Sequence, residues 1–226
     1  MAGKIIVIEG TDGSGKGTQA RLLSEKLTRD GFIVEKISFP QYGQASAGPI
    51  EEYLNGKYGD ADKVSPYAAS LLFAVDRFEA IPKIKAIRDS GKIGVFDRYV
   101  DSNAGHQGGK ISDPGEREKF LAWLYDLEYN ILGIPKPDLV IILHVSTDVN
   151  LELIGARGEK AHIKEGKKDG HEANEQHLRN AEQSYLWLAK HDPAVHRLIE
   201  CMDGKRLRSI EEISGLVNSE VSKLGL

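Results

Sequence analysis

Two short runs of this sequence are apolar at every position and lack the alternation of a half-exposed strand. They read Ile-Ile-Val-Ile at residues 5–8 and Leu-Val-Ile-Ile-Leu at residues 139–143. Continuous apolar runs of this length are typical of strands that are covered on both faces. They therefore indicate a parallel sheet at the centre of the fold.

Short strand-forming runs alternate with longer helix-forming stretches along the chain. The predicted strands are residues 4–8, 33–38, 92–96, 138–145 and 195–202. The predicted helices lie around residues 16–30, 48–56, 65–90, 114–132, 148–155, 174–191 and 208–224. The alternation predicts an α/β fold, an open parallel five-stranded sheet flanked by helices, with ligands beyond the carboxyl ends of the strands.

The composition is that of one soluble domain spanning residues 1–226. Hydrophobic residues make up 40% and charged residues 28% of the chain, and no stretch approaches the roughly 18 apolar residues of a membrane helix. The net charge of −4 argues against a nucleic-acid partner. Cys201 is the only cysteine, which excludes an internal disulfide and leads us to expect a cytoplasmic protein.

One segment, residues 155–173, differs from the rest in composition. It is rich in glycine and in basic residues and has almost no apolar ones. A segment of this kind is typical of a mobile flap rather than of a core element. We therefore predict that residues 155–173 form a flexible lid.

A phosphate-binding motif follows the first apolar run. Residues 10–16 read Gly-Thr-Asp-Gly-Ser-Gly-Lys, which matches G-x-x-x-x-G-K between a strand and a helix. The glycines allow backbone N–H groups to turn inward around an anion, and the lysine adds a point charge. The alternative is a glycine-rich turn that binds nothing. The residues predicted to bind ATP are Gly10, Thr11, Asp12, Gly13, Ser14, Gly15, Lys16, Gly17 and Thr18.

The motif departs from its strict form at Gly17, where a serine or threonine is expected. We therefore expect Mg²⁺ to be held largely by phosphates and water, with Thr18 and Asp97 as possible ligands. The base-reading segment of GTP switches and the signature of transporter ATPases are both absent from the sequence. These absences favour a kinase over a switch or a transporter motor.

A charged pair of residues follows the third predicted strand. Asp97 and Arg98 follow the strand predicted at residues 92–96, and a guanidinium there could bind two phosphates at once. The alternative is an ordinary ion pair at a strand end.

The helix predicted to begin at Ser65-Pro66 carries an apolar face formed by Leu71, Val75 and Phe78. Phe73 and Arg77 lie on roughly the opposite face, where a ring can stack on a nucleobase and a guanidinium can donate to it. The alternative is a second core contact with an exposed arginine. Pro82 is expected to kink or restart this helix.

Taken together and in order, the motifs resemble those of the thymidylate kinase family. The resemblance runs from Lys4 to about Met202. The motifs are Glu9-Gly-Thr-Asp-Gly-Ser-Gly-Lys16, Phe39-Pro40 with Tyr42, Leu71-Leu-Phe73-Ala-Val-Asp-Arg77, Asp97-Arg-Tyr-Val-Asp-Ser-Asn103, Gln107-Gly-Gly, Lys136-Pro-Asp138 and Arg157-Gly-Glu159.

The resemblance implies a P-loop nucleoside-monophosphate-kinase fold, Mg²⁺ with ATP as donor, dTMP as acceptor, and a homodimer. It implies catalytic roles for Lys16, Arg98, Asp12 and Arg157. It implies dTMP binding by Asp12, Phe39, Pro40, Tyr42, Phe73, Arg77, Arg98, Asn103, His106 and Gln107. A kinase for another monophosphate such as dUMP, or a non-catalytic nucleotide-binding module, are the alternatives.

Several positions depart from the family pattern. Gln41 stands where many members have an arginine, and Gly13 replaces the P-loop arginine of some members. The charge lost at Gly13 would have to come from the lid. His106 stands where close relatives have a tyrosine against the sugar, and we expect the smaller imidazole to exclude ribonucleotides less strongly.

Overall fold

The computed structural model describes residues 3–156 and 175–226. Its strands are β1 (Lys4–Gly10), β2 (Val34–Ser38), β3 (Ile93–Asp97), β4 (Leu139–His144), β5 (His196–Glu200), β6 (Met202–Asp203) and β7 (Arg206–Leu207). Its α-helices are α1 (Lys16–Arg29), α2 (Gly48–Leu54), α3 (Pro66–Glu79), α4 (Ile81–Asp89), α5 (Val100–His106), α6 (Pro114–Tyr125), α7 (Thr147–Ala156), α8 (Glu175–His191) and α9 (Ile210–Ser222). Short 3₁₀ turns lie at Ala45–Ala47 and Gly108–Lys110, and a π-helical segment covers Asp126–Ile131.

The main sheet has five parallel strands in the order β2-β3-β1-β4-β5. The chain first winds to one side of β1 and then crosses to the other, so β1 is central. This confirms the predicted fold class. In register, Ile8 of β1 pairs with Asp97 of β3 and with Ile141 of β4, so the carboxyl ends of the central strands meet at one edge.

The core lies on both faces of this sheet. Ile5 and Val7 pack on the side of α4, α5, α6 and α8, whereas Ile6 and Ile8 pack on the side of α1 and α9. All four side chains are fully buried, which explains why their run shows no alternation. Each such side chain contributes about 1.5–3 kcal/mol through burial of apolar area.

One expected local feature is confirmed, and three others were not predicted. The stretch predicted as one helix at residues 65–90 is divided at Ala80 into α3 and α4, as the expected restart at Pro82 requires. Helix α5 and the antiparallel β6–β7 pair were not predicted. The stretch predicted as a helix at residues 114–132 changes from α to π geometry at Asp126.

Helix α3 buries one face and exposes the other. Phe73 packs edge-on against Tyr53 of α2, with ring centroids 6.1 Å apart. The apolar face identified in the sequence points outward, since Leu71, Val75 and Phe78 are 45%, 56% and 51% exposed. Within residues 3–156 and 175–226, no helix combines the length and the apolar character needed to cross a membrane.

Candidate active site

The loop between β1 and α1 has the backbone of an anion cradle. Gly10, Gly13 and Gly15 have φ angles of 139°, 87° and 85°, which residues with a Cβ rarely adopt. Gly15 directly precedes α1, so the N–H groups of the first helical turn face the same space as the loop. The ammonium of Lys16 lies inside the loop and donates to the Thr11 carbonyl at 2.6 Å.

Opposing effects act on the pKa of Lys16. Burial and the nearby Arg98 guanidinium lower the pKa of Lys16 to about 7, although the carboxylates of Asp12 and Asp97 favour its charged form. A phosphate anion in the loop would reverse this balance, because it adds negative charge beside the ammonium.

Asn150 of α7, which no sequence motif includes, supports the loop. Its side-chain amide donates to the Thr11 hydroxyl at 2.6 Å and to the Val145 carbonyl at 3.0 Å, and it is fully buried. A Cβ at Gly13 would lie 3.1 Å from the Asn150 carbonyl oxygen and 3.2 Å from Ile154. A side chain at position 13 would therefore require α7 to shift by a few tenths of an ångström.

Asp97 lies next to Gly17. The Oδ2 atom of Asp97 would lie 3.0 Å from a Cβ placed at Gly17, so a side chain at this position would require the carboxylate to shift. Thr18 lines the same cavity. One carboxylate beside bound phosphates is the coordination that Mg²⁺ usually finds in kinases, so the residues present fit a magnesium ion.

Arg98 lies between the P-loop residue Asp12 and helix α5. Its φ of 68° is left-handed, a strained conformation that is common at functional positions. One terminal nitrogen donates to Asp12 at 2.5 Å, and the other lies 3.2 Å from the Ser102 hydroxyl and 3.1 Å from Nε2 of His106. Burial opposes its charge, but Asp12 and other carboxylates outweigh this and raise the pKa of Arg98.

Glu9 holds the segment that carries Arg98. Its fully buried carboxylate accepts from the Tyr99 backbone N–H at 2.6 Å, from Ser102 at 2.8 Å and from the Tyr185 hydroxyl at 3.0 Å. Burial raises the pKa of Glu9, and Arg98 opposes that change. The sequence contained Glu9 in a motif but gave no sign of these three contacts.

The far end of the cavity is built around Arg77. This side chain is 2% exposed, so the alternative of an exposed arginine is wrong. Its Nε and Nη2 atoms each donate to the Glu128 carboxylate at 2.6 Å, and its Nη1 donates to the Tyr99 carbonyl at 3.1 Å. Glu128 outweighs the effect of burial and raises the pKa of Arg77.

The loop after β2 forms another wall. Phe39, Pro40 and Tyr42 line the cavity, and the peptide bond between Phe39 and Pro40 is cis. Gln41 is turned away from it: its backbone N–H donates to the Asp76 carboxylate at 2.9 Å and its side chain donates to the Asp76 carbonyl at 3.0 Å. Residue 41 therefore anchors the loop to α3.

His106 belongs to a chain of polar contacts. Its Nδ1 atom lies 3.2 Å from Nε2 of His177, and Nδ1 of His177 lies 2.9 Å from the Asp62 carboxylate. His106 also lies beside Arg98, and its expected place against the sugar stays a prediction. His177, near the start of α8, was not identified from the sequence.

These walls enclose one cavity of about 500 Å³. The predicted site residues that line it are Asp12, Gly13, Gly15, Lys16, Gly17, Thr18, Phe39, Pro40, Tyr42, Phe73, Arg77, Asp97, Arg98, Asn103, His106 and Gln107. Gly10, Thr11 and Ser14 are not among its lining residues. Arg157 and the rest of the predicted lid beyond Ala156 lie outside the described residues.

The comparisons with known proteins agree on one family. The family model for thymidylate kinase matches residues 8–199. This chain belongs to the thymidylate kinase family. The thymidylate kinase of Mycobacterium tuberculosis is 36% identical over 157 residues, which are 69% of this chain and 72% of that protein.

Two further similarities extend over nearly the whole chain. A probable thymidylate kinase of Thermococcus gammatolerans is 31% identical over 229 residues, which are 97% of this chain and 98% of that protein. The solved structure of thymidylate kinase from Candida albicans has a TM-score of 0.74 and 26% identity, and the match covers 99% of this chain and 93% of that one. The fold of this family of ATP-dependent phosphotransferases is thus shared from end to end.

Proposed function

We propose that the protein transfers the γ-phosphoryl group of ATP to dTMP, giving dTDP and ADP. The observation that carries this proposal is the position of Arg98. It contacts the P-loop residue Asp12 on one side, and Ser102 and the predicted acceptor residue His106 on the other. A site for nucleotide binding alone would need no cation between the donor loop and a second pocket.

The P-loop is the donor end of this cavity. Its inward-facing N–H groups and Lys16 would bind the β- and γ-phosphates, and Arg98 would neutralise charge on the group in transfer. An oxygen of the acceptor phosphate attacks the γ-phosphorus. The bond between the γ-phosphorus and the β–γ bridging oxygen breaks at the same time, and ADP leaves with the electron pair of that bond. No covalent enzyme intermediate is needed.

Asp97, with Thr18 beside it, is the candidate ligand for Mg²⁺. The metal would neutralise charge on the donor phosphates when bound. The contribution of the protein is a carboxylate kept close to the loop, because Gly17 leaves room for it.

The acceptor end suits a pyrimidine nucleotide. Phe73 offers a ring for stacking, and Arg77 can only donate hydrogen bonds. Thymine presents an acceptor at O4, whereas cytosine presents an amino donor there. Uracil differs from thymine only by a methyl group, which a pocket distinguishes by ~10–200-fold.

The decisive experiment is ADP release from Mg²⁺-ATP across a panel of dTMP, dUMP, dCMP and AMP. We expect kcat/KM to fall in the order dTMP, dUMP and then dCMP, with AMP unused. Equal use of dCMP and dTMP would contradict the assignment of the acceptor. Lack of turnover with every acceptor, together with tight ATP binding, would favour the non-catalytic alternative.

The outward face of α3 supports a homodimer. Leu71, Val75 and Phe78 form a contiguous apolar surface, and such surfaces mark association sites when they are rimmed by polar residues. Val75→Glu is expected to convert dimers to monomers in sedimentation measurements. Ile33→Glu, at a residue that is 67% exposed on the loop before β2, is the control and should leave the mass unchanged. A cytoplasmic location and the absence of a nucleic-acid partner stay predictions.

A further inference from the structure

Glu128 is a buried acid that none of the sequence motifs includes. It lies in the π-helical segment Asp126–Ile131 and has no exposed surface. π-helical insertions occur frequently at functional sites, where they redirect one side chain. Here the redirected side chain reaches the base end of the cavity, 51 residues along the chain from Arg77.

The pairing with Glu128 determines which donors Arg77 has left. A guanidinium has five N–H groups. Glu128 engages one on Nε and one on Nη2, and the Tyr99 carbonyl engages one on Nη1. Among the described residues, nothing else accepts from Arg77, so each terminal nitrogen keeps one N–H for the cavity that this side chain lines.

Glu128 also determines the orientation of Asn103. The side-chain nitrogen of Asn103 lies 3.2 Å from Oε1 of Glu128 and 3.2 Å from the Ser70 carbonyl. Both neighbours are acceptors, so a flipped amide would place its oxygen against two other oxygens. The amide therefore gives both hydrogens to the protein and keeps Oδ1 as an acceptor for the cavity.

We propose that Glu128 is a positioning residue that sets the hydrogen-bond polarity of the acceptor pocket. It leaves the pocket with a donor from Arg77 beside an acceptor from Asn103. This pair complements the imide edge of thymine or uracil, in which a carbonyl lies beside an N–H. Cytosine has an amino group beside an unprotonated nitrogen, so both of its contacts would be mismatched. The inference deepens the proposed function and rests on it.

Glu128→Gln tests this proposal, because glutamine has nearly the same shape but only one accepting oxygen. It cannot accept from both edges of Arg77 and from Asn103, so the Asn103 amide is expected to turn and accept from the new amide. We expect the ratio of kcat/KM for dTMP to that for dCMP to fall at least about tenfold, as loss of a charge-assisted contact implies. Asp126→Asn, an exposed position in the same segment, is the matched control and should keep the wild-type ratio.

A second variant keeps the test valid if Glu128→Gln does not fold. Asn103→Ala removes the proposed acceptor and leaves the Arg77–Glu128 pair intact, so it should narrow the same ratio. In the double variant the two effects should not add, because both act on one contact. Additive effects, or an unchanged ratio in either folded single variant, would overturn the role of Glu128.

The wild-type measurement separates this inference from the proposed function. Wild-type protein that does not phosphorylate dTMP would refute the proposed function. Wild-type protein that uses dTMP while Glu128→Gln keeps the full preference over dCMP would refute only the inference. Thermal unfolding of each variant shows that the compared proteins are folded.

Discussion

The two ends of the cavity are built in different ways. The proposed donor end is the loop between β1 and α1 with the start of α1, and Asn150 supports it from elsewhere in the chain. The base end consists of side chains from α3, α5 and the π-helical segment, held by the buried pair of Arg77 and Glu128. A backbone site depends on local conformation, whereas a side-chain site depends on charges that must find each other across the chain.

Because of this difference, we expect substitutions at one end of the cavity to reduce activity and substitutions at the other end to reduce the stability of the fold. Loss of Lys16 removes a charge whose intended partner is the substrate, so the folded protein loses little. Loss of Arg77 or Glu128 leaves a buried charge without its partner, which is costly for folding itself. Variants at the two ends should therefore differ in what they damage.

The largest effect is expected for Arg77→Ala. The unpaired Glu128 should lower the free energy of unfolding by about 3–5 kcal/mol, measured by urea denaturation. Turnover of dTMP should fall and the gap to dCMP should narrow. The double variant Arg77→Met with Glu128→Met should recover most of the stability but not the activity, because no unpaired charge remains. A stability loss in the double variant as large as in the single one would break the comparison.

Lys16→Ala should act on catalysis alone. We expect kcat to fall at least about a hundredfold, or ~2.7 kcal/mol of transition-state stabilisation. The unfolding midpoint should stay close to that of the wild type. Lys26→Ala, a half-exposed position on the same helix, is the control and should keep full activity. Near-normal turnover in Lys16→Ala would refute the phosphate cradle.

A pair of glycine variants sharpens the contrast within the donor end. Gly13 and Gly15 have nearly equal φ angles, 87° and 85°, and each alanine should cost about 1–2 kcal/mol of unfolding free energy through backbone strain. Only Gly13→Ala also crowds Asn150 and Ile154, since nothing lies within 4 Å of a Cβ at Gly15. Chemical denaturation without nucleotide should therefore show Gly13→Ala as the less stable variant. Equal stability of the two variants would mean that α7 moves to accommodate the added Cβ without any loss of unfolding free energy.

The smallest expected effect is the uptake of a proton when nucleotide binds. With a pKa of about 7, Lys16 is mostly neutral at pH 8 in the unliganded protein, and bound phosphate should favour its charged form. Binding of ADP at pH 8 should take up close to one proton, and affinity should weaken by up to about tenfold per pH unit above pH 7. Calorimetry in buffers of different ionisation enthalpy measures this uptake. Lys16→Ala should abolish it, and an unchanged uptake in that variant would assign the proton elsewhere.

The sequence predicted the sheet and the P-loop because both depend on neighbours along the chain. Strands β1 and β4 follow from continuous apolar runs, and the cradle follows from glycine spacing. Helix α5 was missed because Val100–His106 is only seven residues long and contains Asp, Ser, Asn and Gly, which are weak helix formers. Its place is determined by Glu9, Tyr185 and Ser184 rather than by its own propensity.

Glu128 could not be chosen from the sequence for a related reason. A buried arginine requires a carboxylate partner, but many acids of the chain could have supplied it. What selects Glu128 is the π-helical turn, which no periodicity revealed. Gln41 is similar, because its partner Asp76 lies 35 residues away on α3.

The three contacts of Glu9 have a consequence for how the chain acquires its active site. Its partners Tyr99, Ser102 and Tyr185 lie 90, 93 and 176 residues further along the chain. Contacts of such long range form late, because a large loop must close before they contribute. During synthesis, Glu9 emerges long before α8, which carries Tyr185, has been made. The segment that carries Arg98 gains its last anchor only once α8 arrives, so catalytic competence is among the last properties that the growing chain acquires.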